Sequence, residues 1–199
     1  MDKQQAAKDI VSAALPHVVF DGWSQSTLHK AAQDAGYKKT DVIRVFPQGA
    51  ADAVDTFLRL SDDAMAEALS HYQLDGMKIR EKITLAVKLR IEVHAPHREA
   101  VRKTIAFLTL PHYAWLSMKA LYRTVDSIWY AIGDTSTDFN FYTKRMTLAG
   151  VYTSTLLCWL DDKSPGHEQT WQFLDRRIAN VMTIEKLKHK VRGLFGKVA

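Results

Sequence analysis

Little in this sequence can cross-link, bend or break a chain. A single cysteine, Cys158, excludes an internal disulfide framework and any cysteine-built zinc module. Nine glycines and five prolines in 199 residues lie below the roughly 7% and 5% typical of globular domains, too few turn formers for a β-sandwich or barrel. No uncharged apolar run reaches the roughly 18 residues that a membrane span needs. No G-x-S-x-G, P-loop or dinucleotide fingerprint is present. The eight histidines are scattered, and none forms the Glu-x-x-His pair that di-iron bundles need twice. Glu67 and His71 stand one helical turn apart as a surface contact, and Cys158 reads as an inert buried thiol. The chain therefore reads as a non-enzyme with no catalytic residue, no metal and no cofactor. The first residues, MDKQQAAKDI, resemble neither a signal nor a transit peptide, so a bacterial cytoplasmic protein is the expectation.

What is present is helical grammar. Ala7, Ile10, Val11, Ala14, Leu15 and Val18 recur at three- and four-residue steps, which predicts a helix over 4–20 with Pro16 in its last turn. Gly22 stops it and Ser24 caps a second helix, 25–35, ended by Gly36. Thr40 caps a short third helix, 41–46, closed by Pro47. Further helices are expected over 50–74, 77–95, 98–110, 112–132, 137–160 and 167–182, with breaks at Gly76, Pro96, Pro111, the 133–138 loop and the 161–166 loop. In the 77–95 helix, Ile79, Ile83, Ala86, Val87 and Ile91 form the apolar stripe, and Lys78, Arg80, Lys82, Lys88 and Arg90 the opposite face. The fold class is all-α, with about ten helices: a head over 1–48, a body over 49–182 and a tail over 183–199.

The segment AAQDAGYKKTDVIRVFP (31–47) has helix-turn-helix form. Ala32, Ala35, Gly36, Phe46 and Pro47 resemble the DNA-binding segment of the TetR family, with Phe46 as the plug of a three-helix core. Lys38, Lys39 and Arg44 are available to phosphates. Yet Gln48-Gly49-Ala50 stands where that family carries a clamp lysine, and Asp41 would face the groove. The head thus reads as a retained scaffold with no nucleic-acid partner; a ligand-responsive repressor is the alternative.

Met146 to Leu160 is fifteen residues without a charge, about 22 Å as a helix and too short to span a bilayer. Such a helix is expected to be buried all round, with Ala149 and Gly150 allowing close approach and Thr147, Thr153, Ser154 and Thr155 bonding back to the backbone. Phe107, Leu108, Leu110, Trp115, Leu116, Met118, Leu121, Val125 and Ile128 would face it. From the residues alone this is a well-filled core. Near the following loop, Arg123 and Asp126 are placed to pair at i and i+3, and Asp134 to cap the next helix. Trp129 and Tyr130 are adjacent, so one of them reaches the surface.

The stretch LYRTVDSIWYAIGDTSTDFNFYTKRMTLAGVYTSTLLCWL (121–160) resembles the ubiquinone-biosynthesis accessory family, non-enzymatic lipid-binding proteins that assist the di-iron demethoxyubiquinone hydroxylase. The likeness extends through SPGHEQTWQFLDRRIANVM (164–182), KIREKITLAVKLRIE (78–92) and PHREAVR (96–102). It implies a TetR-like fold and a tunnel for an isoprenoid or polyprenyl quinone precursor, lined by Leu108, Trp115, Leu116, Leu121, Val125, Ile128, Leu148, Val151, Tyr152, Thr155, Leu156 and Trp159. It also implies a surface for the hydroxylase at Arg123, Asp126, Trp129, Tyr130, Asp134, Asp138 and Asn140. By analogy with TetR-like folds, 137–182 is expected to pair two copies into a homodimer.

Net charge is +5, of which the tail TIEKLKHKVRGLFGKVA (183–199) holds +4. Ile184, Leu187, Val191, Leu194, Phe195 and Val198 recur at helical steps, and Lys186, Lys188, Lys190, Arg192 and Lys197 fill most of the remainder. That pattern fits a basic amphipathic helix on an anionic membrane surface; a last helix packed on the body is the other reading. The resulting expectation is a cytoplasmic protein held peripherally at the bacterial inner membrane.

Overall fold

A computed structural model describes residues 2–135 and 139–195, with side chains for 2–135 and 141–181. Among the described residues the chain forms nine α-helices: α1 Lys3–Asp21, α2 Gln25–Asp34, α3 Lys39–Val45, α4 Ala50–Ser70, α5 Ile79–Glu92, α6 Arg98–Leu108, α7 Ala114–Ala131, α8 Phe139–Asp161 and α9 Glu168–Phe195. Three prolines open short 3₁₀ turns between them, at Ala95–His97, Pro111–Tyr113 and Pro165–His167. The count falls short of ten because α9 runs unbroken from the body into the tail. The fourth helix ends at Ser70, four residues early, and Leu74 packs against the core from beyond its end.

The head packs as its periodicity predicts. Ile10, Val11, Ala14 and Val18 of α1 meet Leu28, Ala31 and Ala32 of α2, all buried, and Phe46 closes the core against Val42 and Val45 of α3. Ser24 accepts from the Thr27 amide at 3.1 Å and caps α2. Thr40 does not cap α3. Its first residue is Lys39, and the Asp41 carboxylate reaches back to the Lys38 amide at 3.0 Å. Asp41 therefore serves its own helix end. The head is tied to the body by Trp23, whose indole N–H donates to Thr104 of α6 at 2.8 Å.

In the body, α4 packs on α5 and α7, and α8 lies between α7 and α9. Two joints between helices act as caps. Arg98 donates to the carbonyls of Trp159 (2.6 Å) and Leu160 (3.2 Å), and Arg102 to that of Leu160 (2.6 Å). Both satisfy carbonyls left open at the end of α8. Asp162 accepts from the amides and hydroxyls of Ser164 and Thr170, closing the start of α9. Those four hydrogen bonds outweigh its burial and hold its carboxyl well below the usual range.

The charge-free segment of α8 is not buried all round. Leu148, Val151, Tyr152, Thr155 and Trp159 face the core, whereas Met146, Gly150, Thr153 and Leu157 form an exposed stripe. Gly150 meets nothing within 4 Å and brings no helix close. Ser154 and Thr155 do bond back to the helix backbone. Cys158 is half-buried and not enclosed.

Candidate functional site

The site begins with a charge in an apolar register. In α5, Arg90 lies seven residues after Ile83, four after Ala86 and three after Val87, which puts it on the core stripe and not on the basic face. It is wholly buried. In α4, Asp62 holds the same position relative to Leu58, Met65 and Leu69 and is also buried. The two meet: Arg90 Nε donates to Asp62 Oδ1 at 2.8 Å. The other guanidinium nitrogens reach His94 Nε2 and the Leu58 carbonyl. Asp62 also accepts from Thr124 Oγ1 (2.8 Å) and from Arg123 Nε (3.1 Å), and Arg123 Nη1 donates to Asp55 at 2.6 Å. Two arginines thus face two aspartates. A buried pair of this kind is tolerable only when its remaining hydrogen bonds are made, as they are here.

Above this network is a cavity of about 310 Å³. Its floor carries His94 and Tyr152, 2% and 5% exposed. Its walls are Phe57, Leu58, Ile105, Leu108, Leu121 and Leu156, and its rim includes the exposed Thr109, Thr153 and Leu157. Burial, reinforced by Arg90 and His97, pushes His94 well below the ordinary histidine range, so its ring is neutral. Burial also raises the Tyr152 phenol, with Asp62 adding to the rise and Arg90 opposing it. A second cavity, about 230 Å³, opens between α5, α7, α8 and α9 against Ile79, Ile83, Trp129, Leu148, Val151 and Ile178.

The residues assigned to a lipid tunnel are dispersed. Leu108, Leu121, Tyr152 and Leu156 line the larger cavity, Leu148 and Val151 the smaller. Val125, Ile128, Thr155 and Trp159 are buried core residues that line neither. Leu116 packs at the edge of the core. Trp115 is 77% exposed, and Leu110 and Met118 also point outward, so these three do not face α8. Neither His94, nor Arg90, which periodicity put on the basic face, nor Asp62 is among the expected site residues. The signal for the last two was a charge placed in step with an apolar stripe.

At the α7–α8 corner the i,i+3 pair does not form. Arg123 turns to α4, and Asp126 pairs instead with Arg145 at 2.6 Å. Asp134 accepts from Lys144 at 2.7 Å. The tryptophan and tyrosine divide as adjacency requires: Trp129 is buried beneath Lys144, whereas Tyr130 is 82% exposed. The side chains of Asp138 and Asn140 lie outside the described residues, as do those of Ile184, Lys186, Leu187, Lys188, Lys190, Val191, Arg192, Leu194, Phe195 and Lys197. For the tail, the backbone shows helix as far as Phe195.

Comparison with known proteins gives three findings. Residues 114–185 match the model of the COQ9 family. The chain is 32% identical to the mitochondrial ubiquinone biosynthesis protein COQ9 of Drosophila melanogaster, over 97% of this chain and 62% of that protein. It is 33% identical to the Xenopus tropicalis protein, over 92% and 59%, and 28% identical to the human one, over 96% and 62%. The chain thus spans about three-fifths of the curated relatives it matches. In fold it is similar to a TetR transcriptional regulator from Nitrosomonas europaea ATCC 19718, with a TM-score of 0.69 at 19% identity, covering 87% of this chain and 95% of that one. These findings overturn the expected location in the bacterial cytoplasm and at the bacterial inner membrane, because the matched relatives are mitochondrial proteins. No described helix is long and apolar enough to cross a membrane.

Proposed function

We propose that this chain, which resembles the COQ9 ubiquinone biosynthesis proteins along most of its length, is a non-enzymatic accessory protein that shelters a polyprenyl quinone precursor and presents it to the di-iron demethoxyubiquinone hydroxylase. The observation that carries this reading is the 310 Å³ cavity between α4 and α8, with its apolar walls. It is about twice the ~150 Å³ void that holds one benzene, so it takes a ring and a short length of chain. Each CH₂ buried there contributes about 0.8 kcal/mol. Tyr130 supports a docking surface for the hydroxylase on α7, since an exposed large aromatic beside charged neighbours is a common interface anchor. The exposed α8 stripe of Met146, Gly150, Thr153 and Leu157 offers a face for a second copy. The composition of the tail supports a membrane-surface role. Likeness to a transcriptional regulator at 19% identity extends to fold alone and lends no support to DNA binding.

Mass spectrometry of organic extract from the purified protein tests the central claim. A co-purifying polyprenyl species is expected, and it should be lost in Leu121→Trp, which fills the cavity. Extract free of isoprenoid lipid, together with no uptake of added quinone, would overturn it.

A further inference from the structure

The floor of the larger cavity differs from its walls in one respect that decides how a ligand enters. Tyr152 is 95% buried by side chain and backbone together, lines the cavity, and its hydroxyl makes no hydrogen bond to any other described residue. His94 accepts from Arg90 through Nε2, so in the neutral ring the proton sits on Nδ1, which has no acceptor among the described residues. Two donors therefore line the buried end of a mostly apolar space; of the hydroxyls around it, those of Thr104, Thr109 and Thr124 already donate to Ala100, Ala106 and Asp62. Hydrocarbon packed against them would leave both desolvated and unpaired, which is unfavourable. An acceptor oxygen would satisfy them.

The same floor carries no cation to spare. All three guanidinium nitrogens of Arg90 are engaged, and Arg90 and Arg123 are matched by Asp62 and Asp55. A carboxylate or phosphate would enter without an unpaired positive charge to meet it.

We propose that the cavity takes its ligand head-first. Tyr152 and the Nδ1–H of His94 donate to a neutral oxygen of the head group, of the ring-carbonyl class, and the hydrocarbon chain leaves past Leu156 and Leu157 at the rim. The proposal rests on the lipid-binding reading above and adds to it the orientation of the ligand and the two side chains that hold its head group. The low basicity of the buried His94 agrees with a neutral donor at this place.

The test compares a decyl-substituted benzoquinone, decylbenzene and decanoate as probes on the full chain. The intact protein should bind the quinone at least tenfold more tightly than decylbenzene, and decanoate no better than decylbenzene. Tyr152→Phe should erase roughly tenfold of that preference, the loss of about one hydrogen bond, while leaving decylbenzene affinity within about twofold. A carbonyl stretch of the bound quinone shifted to lower frequency, and returning in Tyr152→Phe, is expected in the infrared. The wild-type carbonyl band decides the matter should the variant fail to fold. Equal affinity for quinone and decylbenzene, an unshifted band, or preference for decanoate would overturn the head-first assignment while leaving lipid binding intact. Binding of none of the three would instead overturn the lipid-binding reading, and the orientation with it.

Discussion

The head and the body are built from the same kind of helix, yet they bury different things. In the head, α1–α3, the interior is apolar apart from Thr27, and charge stays at the surface, where Lys30 pairs with Asp21 and His17 with Asp34. Among the described residues the buried charged side chains Asp62, Arg90, Arg145 and Asp162 all belong to the body, as does the buried His94. Burying charge is costly unless every partner is in place. A region that does so holds a more demanding interior than one that packs alanine on leucine, and in this body that interior supplies the floor of a cavity.

Five variants sharpen or break this contrast. The largest effect is expected for Asp62→Ala, which leaves Arg90 buried without its carboxylate and should cost about 3–5 kcal/mol in urea unfolding. Adding Arg90→Met should recover much of that loss, since the apolar replacement leaves no orphaned charge. Leu28→Ala in the head should cost about 2–4 kcal/mol through its cavity alone, with no recovery by any charge change. Asp162→Ala, which opens the start of α9, should cost roughly 1–3 kcal/mol. The smallest effect belongs to Lys30→Ala, an exposed pair in the head, which should move the unfolding midpoint barely at all. If Asp62→Ala were as mild as Lys30→Ala, the distinction between the two regions would collapse.

Acid should separate the regions as well. His94 has a depressed pKa in the folded chain, so below about pH 6.5 the unfolded state binds a proton that the folded state refuses, and stability falls as the pH drops. Asp162 is depressed too. Its contribution is whole above about pH 3.9 and is lost as the pH falls further. Stability of the intact protein should therefore decline in two stages on acidification, and His94→Gln should remove the first. A single decline below pH 4 in the wild type would show that His94 titrates normally.

Much of the fold is legible along the chain. Three- and four-residue spacing set the helices, proline and glycine their breaks, and Phe46 the plug of the head, because each depends on neighbours within a few positions. The candidate site is only partly legible. Leu108, Leu121, Tyr152 and Leu156 are recoverable as apolar or aromatic residues of the second half, but which cavity each lines depends on how α6, α7 and α8 cross. Arg123 and Asp126 illustrate the limit: helical spacing allows them to pair, yet each finds a partner on another helix, Asp55 and Arg145. Likewise adjacency requires that Trp129 and Tyr130 differ in exposure, while the packing of α8 decides that the tryptophan is the one covered.

By itself, then, the sequence determined the all-helical class, the helix breaks, the basic tail and the resemblance to a ubiquinone-biosynthesis family. These follow from local periodicity, composition and motif. Only the tertiary structure decided that Arg90 is buried, that Asp62 meets it from 28 residues away, that α8 keeps one bare face, and that a phenol and an imidazole share the floor of one cavity. The reason is physical: charge pairing and cavity shape are set by the crossing of helices far apart in the chain, and a periodic pattern records which face turns inward but not what it will meet there.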